Sequence, residues 1–121
     1  MPSPISDPVL EGLARALDVH QRRHEVLATN LANVETPRFR AQEVDFRSAL
    51  TRAFEQSAQG EPATPTTVVE DATAPARADG NTVDLDLQMA KLSDNAGRFL
   101  ALARIAGKKI ALMRLAIDGG R

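Results

Sequence analysis

The side chains of this sequence that could do chemistry are few, and their spacing restricts them further. His20 and His24 stand four apart in the run HQRRHE, which on a helix puts two imidazoles on one face, where they can share a metal ion. A helical zinc protease needs Glu directly after the first His, but Gln21 stands there, and the chain has no third His. The pair therefore reads as polar members of a helix face, with metal binding or pH sensing as the alternative. Asp84 and Asp86 point apart on a helix, so they serve as helix-start acids rather than as an acid/base pair across a substrate. Gly119-Gly120 closes a helix and does not open a phosphate loop.

Composition narrows the field in the same direction. With no Cys there are no thiolate metal sites and no cysteine nucleophile. Four Phe, no Tyr and no Trp leave few large anchors for a ligand cavity. No catalytic constellation stands in the sequence, so the expectation is a non-enzyme with no cofactor and no small-molecule substrate. Fifteen Lys and Arg against 16 Asp and Glu give a net charge of −1, which supplies no field for nucleic acid. Arg22-Arg23 and Lys108-Lys109 read as solvated faces.

The elements that carry these residues are helical. After Pro2, Pro4 and Pro8, which predict a mobile leader over 1–8, the positions Leu10, Leu13, Leu17, His20, His24, Leu27, Leu31 and Val34 alternate by three and four. This is a coiled-coil seam over a helix at 9–34, stopped by Thr36-Pro37. Residues 35–56 carry the turn, an extended strip with Phe39 and Val44, and a short helix in which Phe46, Leu50, Ala53 and Phe54 share a face and Asp45 can cap. Residues 57–80 hold three Pro, two Gly and six Ala and read as a flexible or partner-ordered linker, with at most one short strand over 66–70. From 81 to 118, Leu85, Met89, Leu92, Ala96, Phe99, Ala103, Ala106, Ile110, Met113 and Ile117 form a second unbroken seam behind a cap at Asn81-Thr82. Residues 119–121 are a short tail.

The predicted fold is all-α: an antiparallel pair of long, coiled-coil-like helices with a short extra helix and a linker. The C-terminal helix would be on the order of 55 Å long. It carries Leu100, Leu102, Ile105, Leu112 and Leu115 off its seam, a second stripe that one partner helix cannot cover. That stripe calls for another chain. Apolar runs of at most five residues exclude a membrane helix, and the start has no basic region of a cleavable secretion signal.

One segment is unlike a generic helix end. Ala28, Thr29, Asn30, Leu31, Ala32, Asn33, Thr36 and Pro37 fit the pattern A-[ST]-N-[LI]-A-N-x-x-T-P. Phe39, Asp45 and Phe46 continue it, and 80–99 supplies a second signature with Asn81, Val83, Asp84 and Asn95. These motifs resemble those of the bacterial flagellar basal-body rod protein family, nearest its proximal rod members, since only a short linker stands where hook and distal-rod relatives insert large β domains. Two positions depart from the family pattern: Arg38 replaces the usual Gly after Thr-Pro, so any positive-φ turn there is strained or different, and Phe99 replaces a frequent Tyr.

The resemblance implies a structural subunit whose terminal helices stack into a tubular drive shaft that transmits torque for motility. Implied partners are copies of itself, other rod subunits, the basal-body adaptor, the membrane-ring protein and the flagellar type III export apparatus. The implied location is the periplasm-spanning rod of the basal body. The rival reading is a small cytoplasmic coiled-coil adaptor or secretion chaperone. Within the seams, Leu31 and Ile110 are expected to lie buried in helix interfaces.

Overall fold

Asp7 starts the first helix: its Oδ1 accepts hydrogen bonds from the Val9 and Leu10 amides at 2.9 and 3.3 Å. Pro8 then takes the first position, where a missing N–H leaves no bond unmade. In the computed structural model, which describes residues 7–119, this helix is α1, Pro8–Ala32. The expected leader therefore falls mostly on residues outside those described, as do the last two residues of the tail. A three-residue strand β1, Gln42–Val44, leads into α2, Phe46–Gln59, which ends on Gly60 in the left-handed conformation at φ 71°. Strand β2, Val68–Glu70, pairs antiparallel with β1, Val44 opposite Val68 and Gln42 opposite Glu70. The final helix, α3, runs Leu85–Gly119, about 52 Å.

The fold is thus mostly α, with two long helices packed together and one small ribbon. Asp7–Lys109 (3.1 Å), His20–Asn95 (2.7 Å) and Asn30–Gln88 (3.1 Å) fix α1 and α3 as antiparallel. On its other side α1 meets α2, and Gly12 permits that approach, since a Cβ there would stand 2.6 Å from Phe54 Cδ1. Two expected caps are made differently. Asp45 precedes α2 but makes no side-chain cap bond, and Asp84, not Asn81-Thr82, caps α3 by accepting from the Leu87 amide at 3.2 Å.

The seams require a correction of one residue at alternate positions. On α1 the buried row is Leu13, Ala16, His20, Arg23, Leu27 and Asn30. It shares Leu13, His20 and Leu27 with the expected seam and takes the residue before Leu17, His24 and Leu31, leaving Leu17 and Leu31 half-buried and His24 exposed. The α3 row facing α1 behaves alike: Leu92 and Phe99 are on it, half-buried, but Gln88 and Asn95 replace Met89 and Ala96, while Met113, also half-buried, lies beyond the start of α1. Ile110 and Ile117 remain 41% and 59% exposed. A 3,4 spacing fixes a helix face only to within a residue, and the polar pairs Asn30–Gln88 and His20–Asn95 rotate both helices toward their hydrogen bonds. Because α1 begins beside Lys109, residues 110–119 of α3 run past it.

The arm between α2 and α3 is tied down along its length. Gln56 holds Thr64 through a 2.7 Å side-chain bond, β2 pairs with β1, and the Asp71 amide donates to Ala41 O at 2.9 Å. Farther on, the Arg38 amide donates to Asp79 O at 3.0 Å. Arg38 itself has φ 64°, a left-handed conformation that an L side chain adopts at a cost of roughly 1–2 kcal/mol. The turn after Thr36-Pro37 is therefore kept although glycine is not. Arg38→Gly is expected to raise stability by about 0.5–1 kcal/mol, read as a higher denaturation midpoint, because the relief of this strain exceeds glycine's added unfolded-state entropy.

Candidate functional site: a buried amide clasp

Three asparagines close the two signatures on each other. Asn30, Asn81 and Asn95 are each at most 1% exposed, and a buried amide is tolerated only where its donors and acceptor are used. Asn30 Nδ2 donates to Gln42 O at 2.7 Å and Oδ1 accepts from the Gln42 amide at 2.9 Å, so the side chain pairs with β1 as a neighbouring strand would. The same Nδ2 reaches Gln88 Oε1 on α3 at 3.1 Å. Asn95 Nδ2 donates to His20 O at 2.8 Å, which leaves its Oδ1 to accept from His20 Nδ1 at 2.7 Å and makes that nitrogen the protonated one.

Asn81 is the hub. Its Nδ2 lies 2.9, 3.1 and 2.8 Å from the carbonyls of Asn33, Val34 and Thr36 in the turn that follows α1, while Oδ1 accepts from the Val83 amide at 2.7 Å. Arg77 supports it by donating to Val34 O and, at 2.6 Å, to Val83 O. Thr82 completes the tie: its amide donates to Phe39 O at 3.0 Å and its Oγ1 accepts from the Ala41 amide at 2.7 Å.

A charge cluster sits beside the clasp. Arg23, a buried side chain, donates to Glu43 at 3.0 and 3.4 Å and lies 4.4 Å above the Phe46 ring. Lys91 reaches Glu43 at 3.1 Å and Asp71 at 3.6 Å. Burial pushes the Glu43 carboxyl up, but hydrogen bonds from Arg23, the Val44 amide and Lys91 outweigh it and hold the group below the ordinary carboxylate range. Asp71 is lowered too, chiefly by the Thr73 hydroxyl, with Lys91 adding to it.

Along most of its length the chain is similar to known proteins. It is 27% identical to the flagellar basal body rod protein FlgB of Escherichia coli K12 over 132 aligned positions, covering 93% of this chain and 96% of that protein. The FlgB of Proteus mirabilis HI4320 is 26% identical across 87% of this chain and 90% of its own length. That of Cereibacter sphaeroides is 27% identical across 88% and 91%. The chain is a relative of the flagellar basal body rod proteins. No family model matches it.

The residues of the two expected signatures divide by burial into two sets. Asn30, Asn81, Val83 and Asn95 are buried, and Leu31, Asn33, Phe39 and Phe46 are half-buried, so these hold the chain to itself. Ala28, Thr29, Ala32, Thr36, Pro37, Asp45 and Asp84 are exposed. Within that exposed set Thr36 Oγ1 still ties back to Asn33 Oδ1 at 3.0 Å. The two His are not brought together as a pair: His20 is buried with Nδ1 committed to Asn95, whereas His24 is exposed. Among the described residues no cluster of three or more His, Asp or Glu is placed to hold a metal ion.

Sequence reasoning missed Arg23, Glu43, Arg77, Thr82 and Gln88. Arg22 is solvated as expected, paired to Glu25 at 3.1 Å, but its neighbour Arg23 is only 5% exposed. The available signal was spacing: Arg23 lies three residues after His20, and Gln88 seven before Asn95, each on a face already marked by a polar seam member.

The lowered carboxyls predict a pH dependence. Groups whose folded pKa lies below the unfolded value contribute stability above the unfolded value, about 4 for carboxylates, and lose it as pH falls through the folded one. Melting temperature is expected to hold between pH 5.5 and 7, as approximate bounds, and to drop below about pH 4. In Glu43→Gln the drop should be shallower, and an unchanged profile would count against this account.

Proposed function

We propose that the chain is a structural, non-catalytic subunit of the flagellar proximal rod, assembling through α1 and α3 into the shaft that carries torque to the outer filament. Similarity to FlgB proteins along nearly the whole chain supports this reading most strongly. Its partners are copies of itself, neighbouring rod subunits, the basal-body adaptor and the membrane-ring protein, and it reaches the basal body through the flagellar export apparatus. The adaptor or chaperone alternative has no comparable support.

The apolar surface of α3 fits an assembling subunit. Leu100, Leu112, Leu115 and Ile117 are 55–68% exposed, and burying each in a neighbour would add roughly 1–2 kcal/mol. No described helix is long and apolar enough to cross a membrane, so a protein surface is the partner proposed for this stripe. Ile110, exposed at the start of the overhang, separates folding from assembly. Ile110→Asp is expected to keep wild-type helicity by circular dichroism yet to disappear from purified basal bodies and to abolish swimming. Normal incorporation of this variant would refute assembly through this stripe, and absence of the wild-type chain from basal bodies would refute the rod reading itself.

A further inference from the structure

On the side of α1 away from α3, a cavity of about 260 Å³ opens between α1, α2 and residues 63–66. Two arginines line it, Arg15 from α1 and Arg52 from α2. Arg15 spends Nη2 on Glu11 at 2.6 Å, but its Nη1 is buried with no hydrogen-bond partner. Arg52 makes no hydrogen bond and no ion pair among the described residues, and its Nε is likewise buried without an acceptor. Asp18 is the one acid lining the cavity and forms no ion pair with either guanidinium. Val19 and Pro65 give apolar walls, and Pro65 is kept in place because its neighbour Thr64 is bonded to Gln56 through both side chain and amide.

Unpaired guanidinium nitrogens are rare in folded chains, because an arginine donor removed from water without an acceptor is destabilising. Two arginines that line one cavity, each with a donor left over, call for an oxyanion with more than one acceptor, and the planar fork of arginine matches a carboxylate. The apolar walls suit a methylene stem behind that carboxylate, which favours a side chain over a free inorganic anion.

We propose that this cavity is a socket for a glutamate side chain presented by a neighbouring polypeptide, with Arg52 and Arg15 as the groups that hold its carboxylate. The inference rests on the rod reading for the nature of the partner, but the socket is testable on the isolated chain. Nitrogen-15 NMR of the arginine Nε–H signals, titrated with N-acetylglutamate N-methylamide, is expected to shift Arg52 and Arg15 together. Arg52→Gln should weaken this binding at least tenfold, Arg52→Lys should restore only part of it, and the glutamine analogue should give no shift. Absence of any shift, an equal response to the glutamine analogue, or a response to inorganic phosphate alone would overturn the proposal. In cells Arg52→Gln is expected to lower recovery in basal bodies severalfold with helicity unchanged. Wild-type recovery of that variant would overturn the socket while leaving the rod assignment standing.

Discussion

Asn81→Ala is expected to destabilise the chain by about 2–3 kcal/mol. The substitution removes the donor facing the carbonyls of Asn33, Val34 and Thr36 and the acceptor of the Val83 amide. The Val83 amide is then left without an acceptor, at about 1–3 kcal/mol, whereas the carbonyls lose one donor but keep others, the Thr36 amide on Asn33 O, the Phe39 amide on Thr36 O and Arg77 on Val34 O. Asn81→Asp sharpens the test. It keeps the shape but puts an acceptor against three carbonyls, so it should be at least as damaging. Chemical denaturation followed by circular dichroism measures both, and a loss under about 1 kcal/mol for the Ala variant would show that Asn81 is not the hub described.

Arg23→Met is expected to cost about 2–3 kcal/mol. Breaking a fully buried ion pair costs 3–5 kcal/mol, but Glu43 is partly open and keeps Lys91 and the Val44 amide, so the lower figure applies. Asp94 adds little: it stands 3.8 Å from Arg23 Nη1, beyond hydrogen-bond distance. The loss of the cation above Phe46 adds a further fraction of this, since Arg98, 5.8 Å from the same ring, is a weaker substitute. The double variant Arg23→Met with Glu43→Leu should recover part of the loss, because replacing both members of a pair leaves no unmatched charge. Simple additivity of the two single losses would mean that the two side chains are not coupled.

These two side chains also mark the limits of what the amino-acid order discloses. The periodicity of α1 and α3 gave their existence, their pairing and alternate members of their contact rows, since Leu13, His20, Leu27, Leu92 and Phe99 lie where a 3,4 repeat puts them. It did not give the rotation, which Asn30, Gln88 and Asn95 determine through bonds to residues 12 to 75 positions away. Asn81 looked like a local helix cap because asparagine commonly is one, but its bonds cross to the end of α1. Arg23 looked solvated because its acid, Glu43, is twenty residues distant on a strand too short to carry a pattern. Local propensity is written in neighbouring residues, and partner choice across the fold is not. The pairing of β1 with β2 was visible only as a possible strand in the arm, because three residues cannot show alternation against background.

The crossing of Asn81 to the end of α1 also sets an order of events in folding. The turn at residues 33–36 receives the Asn81 amide only when the loop from Asn33 to Asn81 closes, and closing a loop of that length costs roughly 3–4 kcal/mol in chain entropy. A chain emerging N-terminus first would therefore hold the turn after α1 by its local bonds alone until residue 81 is free, and that turn would lock as α3 begins to wind.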